Sequence, residues 1–153
     1  MESASQTDKG GAVRTAHLSL GSNIGDSRAI IARAVADIVS IREVIRLEQS
    51  PPYESEPWGF ESPNRFVNVG VKISTTLGPL ELLERLQEIE RRHWNHSHRN
   101  ADGSYRDRAL DIDIITMSGV EMHTPQLTLP HPRMSERPFV TVPMAMLNRI
   151  WPD

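Results

Sequence analysis

The sequence predicts an α+β protein in which helices pack on an antiparallel sheet. In some segments apolar and polar residues alternate, as in half-buried strands, and in others apolar residues recur every three or four positions, as in helices. The chain has 153 residues, 38% of them hydrophobic and 24% charged, which is typical of a soluble globular protein. We expect one domain over residues 13–153, preceded by a disordered tail of residues 1–12.

The predicted elements follow the order β-α-β-β-α-β, which is the ferredoxin-like pattern. They are a strand at 13–20 that ends in a turn at 21–23, a helix capped by Asp26 or Ser27, strands at 44–53 and 66–74, a helix that begins at Gly78-Pro79, and a strand at 108–115. The prolines at 51 and 52 suit an edge strand or the end of a strand. Polar, Pro- and Gly-containing segments at 54–64 and 94–107 are predicted loops.

A Pro-rich segment and a further helix are expected after this unit. Residues 121–133 are irregular, and residues 136–148 carry apolar side chains at near-helical spacing. Pro138 suits a first helical turn, whereas Pro143 is expected to break or kink the helix.

Composition excludes several functions. The absence of cysteine rules out disulfides, thiolate catalysis and cysteine-ligated metals. A net charge of −3 does not suit a nucleic-acid-binding protein, and no apolar run is long enough to span a membrane. The polar N-terminus lacks the apolar core of a signal peptide, so we expect a cytoplasmic location. We also expect a monomer that acts on small molecules.

Asp111 and Asp113 are the strongest functional signal. They alternate with apolar residues in the segment 108–115, so their carboxylates lie on one strand face with Cα atoms roughly 6–7 Å apart. Like charges at this distance repel unless a cation lies between them. We expect magnesium with a phosphate substrate, and Arg108 is suited to phosphate oxygens. The alternative is a solvent-exposed acidic face on an edge strand.

Short motifs over residues 14–150 resemble one enzyme family. They are Leu18-Ser19-Leu20-Gly21-Ser22-Asn23, Tyr53-Glu54-Ser55-Glu56-Pro57-Trp58-Gly59, Phe66-Val67-Asn68, Gln87-Glu88-Ile89-Glu90, Arg108-Ala109-Leu110-Asp111-Ile112-Asp113, Pro130-His131-Pro132-Arg133 and Arg137-Pro138-Phe139-Val140. In this order they resemble 6-hydroxymethyl-7,8-dihydropterin pyrophosphokinases of folate biosynthesis. The family fold is a ferredoxin-like sandwich, in agreement with the order of elements.

The resemblance implies transfer of pyrophosphate from ATP to the hydroxymethyl oxygen of the pterin, with release of AMP. Two magnesium ions would be bridged by Asp111 and Asp113, which act in catalysis together with Arg108. ATP contacts are implied for Gln87, Glu90, Arg99, Tyr105, Arg108, His131 and Arg137. Pterin contacts are implied for Ser55, Trp58, Phe66, Asn68 and Phe139, with the heterocycle stacked between Phe66 and Phe139 and its edge read by Asn68.

The chain departs from the family pattern in the loop after Glu90. The family has a Gly-Arg-x-Arg segment there, whereas this chain has Trp94-Asn95-His96-Ser97-His98-Arg99. Arg99, Arg106 or the pair Arg91 and Arg92 are candidates to replace the missing arginines. Tyr105, Arg106-Asp107 and Ala109 also differ from the common Trp, Gly-Pro and Thr. His93, His96 and His98 raise a zinc site as an alternative to a polar lid.

Three other functions stay open from sequence alone. The altered loop motivates a catalytically weakened relative that still binds pterin or nucleotide. A small regulatory module would have no need for the paired aspartates. A magnesium-dependent phosphatase or nuclease shares the metal chemistry but leaves Phe66, Asn68 and Phe139 unexplained.

Overall fold

The computed structural model describes residues 11–55, 66–93 and 109–153, with Ser55 described by its backbone only. Its elements are β1 Arg14–Ser22, α1 Ser27–Val39, β2 Val44–Gln49, β3 Tyr53–Ser55, β4 Phe66–Thr75, α2 Pro79–His93, β5 Asp111–Met117, β6 Met122–His123, β7 Thr128–Leu129 and α3 Pro138–Ile150. A 3-10 turn at Met134–Glu136 precedes α3. Most of the predicted tail and of both predicted long loops lies outside the described residues.

The main sheet is antiparallel and has the strand order β2-β4-β1-β5. β3 also pairs with β4, beyond the end of β2, while β6 and β7 form a separate two-stranded sheet. Helices α1 and α2 connect strands on the pattern expected for the ferredoxin-like sandwich. The predicted α+β fold is therefore confirmed.

The predicted strand at residues 44–53 is divided into β2 and β3. Ser50 stands at the interruption, just before the two prolines that cannot donate to β4. Its backbone N–H donates to Gly70 O at 2.9 Å, and its hydroxyl oxygen accepts from Gly70 N at 2.9 Å. This exchange keeps both edge strands attached to β4 across the break.

The two faces of the sheet have different coverings. The α1/α2 face holds the main apolar core, built from Leu18, Leu20, Ile31, Ile38, Val69, Val71, Ile73, Leu82, Leu86 and Ile89. The opposite face is covered by α3, which contacts β4 and β3. Gly70 permits this contact, because a Cβ there would lie 2.8 Å from Pro143 Cβ and 3.2 Å from Leu147 Cδ1. Helix α3 is continuous across Pro143, where the sequence predicts a break or kink.

Local chemistry sets the element boundaries. Asp26 is the N-cap of α1 and accepts from Ala29 N at 3.2 Å, one of the two predicted alternatives. Glu81 accepts from Gly78 N at 3.0 Å at the start of α2. The predicted turn at residues 21–23 is wrong in part, because β1 continues through Ser22. In the described part of the chain, no helix combines the length and apolarity needed to cross a membrane.

Candidate active site

The sheet register brings residues from three strands together on the α3 face. Gly21 of β1 pairs with Asn68 of β4 on one side and with Asp111 of β5 on the other. Two residues earlier on β1, Ser19 pairs in the same way with Gly70 of β4 and with Asp113 of β5. Directly paired residues share a face, so Asn68 and Asp111 lie two strand spacings apart, about 10 Å between Cα atoms.

The aspartate pair has the chemistry of a hard-cation site. Asp111 and Asp113 are both half-buried, and their neighbours on β1 are the small residues Gly21 and Ser19, which leave space above the carboxylates. Within the described residues, no three His, Asp or Glu side chains form a metal-binding group. Hard cations such as magnesium prefer carboxylate oxygens of this kind and commonly take their remaining ligands from water or a bound phosphate.

Glu90 anchors the strand that carries the two aspartates. Its Oε2 accepts from the backbone N–H of Ile112, between the aspartates, at 2.7 Å. Because β5 is the edge strand of the sheet among the described residues, no described strand pairs with this N–H on its outer side. The carboxylate at the end of α2 therefore completes the hydrogen bonding of β5 and fixes its position.

His131 is held as a neutral imidazole near Asp111. Its backbone N–H donates to Ile115 O at 2.8 Å, after a cis peptide bond between Leu129 and Pro130. The ring Nδ1 accepts from Met134 N at 3.2 Å, which places the proton of the neutral ring on Nε2. Burial lowers the pKa of His131, and nearby Arg133 lowers it further, whereas Asp111 opposes the shift. The Nε2–H is therefore a fixed donor suited to an anionic ligand.

The N-terminal end of α3 supplies two of the predicted residues. Arg137 is the extended N-cap residue of the helix, and Phe139 lies in its first turn. Phe139, Pro143 and Leu147 follow one another at four-residue intervals, about 6 Å along the helix. The last two contact Gly70, and α3 also contacts β3, so Phe139 lies toward the Phe66 and Asn68 end of β4.

The predicted site residues that the structure describes fall into two groups. Phe66, Asn68, Asp111, Asp113, His131, Arg137 and Phe139 belong to the α3 side of the sheet or its rim. Gln87 is exposed on α2, one turn before Glu90. Trp58, Arg99, Tyr105, Arg108 and the side chain of Ser55 lie outside the described residues, as do Arg106, His96 and His98. His93 contacts Asp37 Oδ2 through Nε2 at 3.0 Å.

A buried charged cluster occupies the far end of the same face and was missed by sequence reasoning. Lys72 has no solvent exposure, and its ammonium group donates to Trp151 O at 2.7 Å and to Asp153 Oδ1 at 2.6 Å. His17 pairs directly with Lys72 across the strands, and both of its ring nitrogens are buried without a hydrogen-bond partner among the described residues. The alternating pattern of β4 showed Lys72 only as a polar position, and the sequence carried no signal that it is buried.

Comparison with known proteins gives a consistent result. A sequence model of the family described as 7,8-dihydro-6-hydroxymethylpterin-pyrophosphokinase matches residues 17–149. Over 130 residues, the chain is 40% identical to the 2-amino-4-hydroxy-6-hydroxymethyldihydropteridine pyrophosphokinase of Porphyromonas gingivalis, covering 84% of this chain and 87% of that protein. The Bacillus subtilis protein of the same name is also 40% identical over 130 residues, covering 85% of this chain and 75% of its own length.

A solved structure supports the fold independently. A crystal structure of Plasmodium falciparum HPPK-DHPS superposes with a TM-score of 0.61 and 13% sequence identity, covering 93% of this chain. This chain spans 42% of the length of that one. At such low identity, the likeness shows a shared fold.

Proposed function

Since the chain belongs to the 7,8-dihydro-6-hydroxymethylpterin-pyrophosphokinase family, we propose that its α3-side sheet face is the active site for pyrophosphate transfer from ATP to 6-hydroxymethyl-7,8-dihydropterin. The observation that carries this assignment is the row Asn68, Gly21 and Asp111. In this row Asn68, whose amide suits the edge of a heterocycle, lies about 10 Å from Asp111, whose carboxylate suits a metal-bound phosphate. The hydroxymethyl arm of the pterin then points from the Asn68 end of this row toward Asp111.

The pterin is held at the Asn68 end of the row. Phe66 on β4 and Phe139 on α3 approach from the strand and helix sides, so a planar ring can stack between them. The amide of Asn68 forms hydrogen bonds with the polar edge of the ring, since Asn68 lies two residues from Phe66 on the same face of β4. Trp58 and Ser55 complete the pterin site in this proposal.

The triphosphate is held at the aspartate end. Asp111 and Asp113 would hold two magnesium ions, which neutralise phosphate charge and polarise the transferred group. His131 donates from Nε2 to a phosphate oxygen, and Arg137 adds positive charge at the start of α3. Further ATP contacts are proposed for Arg108, and also for Gln87, Glu90, Arg99 and Tyr105.

Chemistry at the site is mostly positioning and charge neutralisation. The hydroxymethyl oxygen forms a bond to the β-phosphorus of ATP, and the bond from that phosphorus to the oxygen it shares with the α-phosphate breaks. AMP leaves with that oxygen, and the hydroxyl proton is lost. Asp111 is the carboxylate nearer to the pterin along the row, so it is the group that we expect to accept this proton.

A turnover assay that separates AMP from ADP tests the proposal. AMP is expected only when ATP, magnesium and the pterin are all present. Asp111→Asn and Asp113→Asn should lower turnover by at least about a hundredfold with an unchanged thermal midpoint, because the amide keeps the size but loses the charge. Glu121→Gln is the matched control, since Glu121 is exposed and follows the end of β5 that is farther from Asp111. Full activity in both aspartate variants would refute the metal assignment.

The altered segment after Glu90 favours one second candidate, a weakened relative that binds its ligands without efficient transfer. It lacks the Gly-Arg-x-Arg segment of the family and carries Trp94–Arg99 instead. Pterin binding by titration without AMP formation would identify this candidate. ADP or free phosphate formed without pterin would instead identify a phosphatase.

A further inference from the structure

Gly21 lies beneath two of the residues proposed to bind the pterin. A Cβ atom placed on Gly21 would lie 2.9 Å from Asn68 Oδ1 and 3.9 Å from Phe66 Cδ1. The first distance is shorter than a normal carbon–oxygen contact, whereas the second is ordinary packing. The side-chain amide of Asn68 therefore occupies space that any other residue at position 21 would fill.

We propose that Gly21 is a positioning residue for pterin recognition, because its missing side chain sets the orientation of the Asn68 amide. This inference rests on the proposed function, since it assigns Gly21 a role in the same pterin site. Gly21 does not contact the reacting atoms in this account. It acts through Asn68, whose amide lies in the space that a side chain at position 21 would take.

The backbone at Gly21 gives no other reason for glycine. Its φ is outside the left-handed region, unlike those of Gly25 and Gly119, so an alanine could adopt the same conformation. Pairing with β4 on one side and with β5 on the other holds the backbone in place. An added methyl group therefore cannot be relieved by backbone movement, and the flexible end of Asn68 has to move.

The contrast with Gly70 on the same face supports this assignment. An added methyl group at Gly70 would meet the ring of Pro143 at 2.8 Å, and that ring is part of helix α3. The obstacle at Gly21 is instead a single side-chain amide. The cost of Gly21→Ala should thus appear in pterin affinity with little loss of stability, whereas Gly70→Ala should lower stability as well.

The test is a double-mutant cycle between Gly21→Ala and Asn68→Ala, with pterin Kd measured by titration. Gly21→Ala should weaken pterin binding about tenfold, the value of one well-formed hydrogen bond, and leave the ATP Kd unchanged. In the Asn68→Ala background, where no amide can be displaced, Gly21→Ala should change the pterin Kd by less than about twofold. The remote variant Gly119→Ala controls for general destabilisation, since its φ of 72° strains an alanine.

Three outcomes would overturn the inference. The pterin Kd could be unchanged in Gly21→Ala, the loss could be equally large in the Asn68→Ala background, or Asn68→Ala could bind pterin normally. A wild-type protein that binds no pterin would instead refute the proposed function. In that case the side-chain amide signal of Asn68 in a ¹H–¹⁵N spectrum decides the positioning claim: the signal should shift in Gly21→Ala, and an unmoved signal overturns it.

Discussion

Replacement of Asp153 by Asn should destabilise the protein, because it removes the anionic partner of a buried cation. Lys72 is fully buried, and its ammonium group has two hydrogen-bond acceptors, Trp151 O and Asp153 Oδ1. The ammonium group also lies 4.9 Å from the centre of the Trp151 ring. The asparagine variant keeps the shape of residue 153 and one acceptor oxygen, but it leaves the charge of Lys72 without a counter-ion in the described structure.

The magnitude follows from the exposure of the two partners. A hydrogen bond to a charged group contributes roughly 1.5–3 kcal/mol. The Asp153 side chain is 67% exposed, so water can replace part of its interaction with Lys72. We therefore expect a loss of about 1–2 kcal/mol in the free energy of unfolding, at or below the lower end of that range. For a chain of this size, the thermal midpoint should fall by roughly 2–8 °C.

Lys72→Met provides the matched comparison, because it removes the buried charge together with its requirement for a partner. An apolar side chain of similar length avoids the desolvation cost of a buried ammonium group, so this variant should lose less stability than Asp153→Asn. In the Lys72→Met background, Asp153→Asn should cost less than about 0.5 kcal/mol. Urea unfolding of the four proteins measures these differences. An equal loss from Asp153→Asn in both backgrounds would refute the coupling between the two residues.

Three further predictions concern neighbouring features. Gly70→Ala should lower unfolding free energy by about 1–3 kcal/mol, because Pro143 cannot move without α3; an unchanged urea midpoint would contradict this packing. Glu90→Ala should cost about 1–3 kcal/mol by leaving the Ile112 N–H unpaired, whereas Glu90→Gln keeps an acceptor and should cost less. Burial, and then the charge of Lys72, lowers the pKa of His17, so the unfolded chain takes up this proton first on acidification. Stability should therefore fall below about pH 6.5. This part of the pH dependence should disappear in His17→Gln. If the variant and the wild type had the same profile of stability against pH, His17 would be excluded as its cause.

The fold could be predicted because its elements carry strong local patterns. The alternation through β4 and the apolar stripe of α2 have unambiguous periods, and their order along the chain indicates the sandwich. The division of the edge strand into β2 and β3 and the continuity of α3 are harder to predict from the sequence. The prolines at 51 and 52 indicate where the edge strand divides, whereas the hydrogen bonds between Ser50 and Gly70 and the packing of Pro143 on Gly70 are tertiary contacts that no single segment contains.

The site was predictable along strands but not across them. Asp111 and Asp113, or Phe66 and Asn68, share a face because they are two residues apart on one strand. That Asn68 lies across Gly21 from Asp111 depends on register, which no single segment contains. The sequence predicts Gly21 in a turn, because Gly-Ser-Asn is typical of turns. In the structure, pairing with β4 on one side and β5 on the other keeps Gly21 extended within β1.

The contacts that hold α3 on the sheet also affect the proposed chemistry. The helix is fixed to the sheet at Gly70 through Pro143, and near its C-terminal end through Lys72 and Trp151. Phe139 lies one turn beyond Pro143, about 6 Å nearer the N-terminal end, and depends on these contacts for its position. To restore an ordinary carbon–carbon distance from 2.8 Å, Gly70→Ala has to move Pro143 by about 1 Å. A shift of that size at Phe139 is enough to disturb a stacked ring, since misplacement of about 1 Å can cost a hundredfold in rate. Gly70→Ala should therefore raise the KM for pterin more than that for ATP, and Asp153→Asn, which acts at the far end of α3, should change both less.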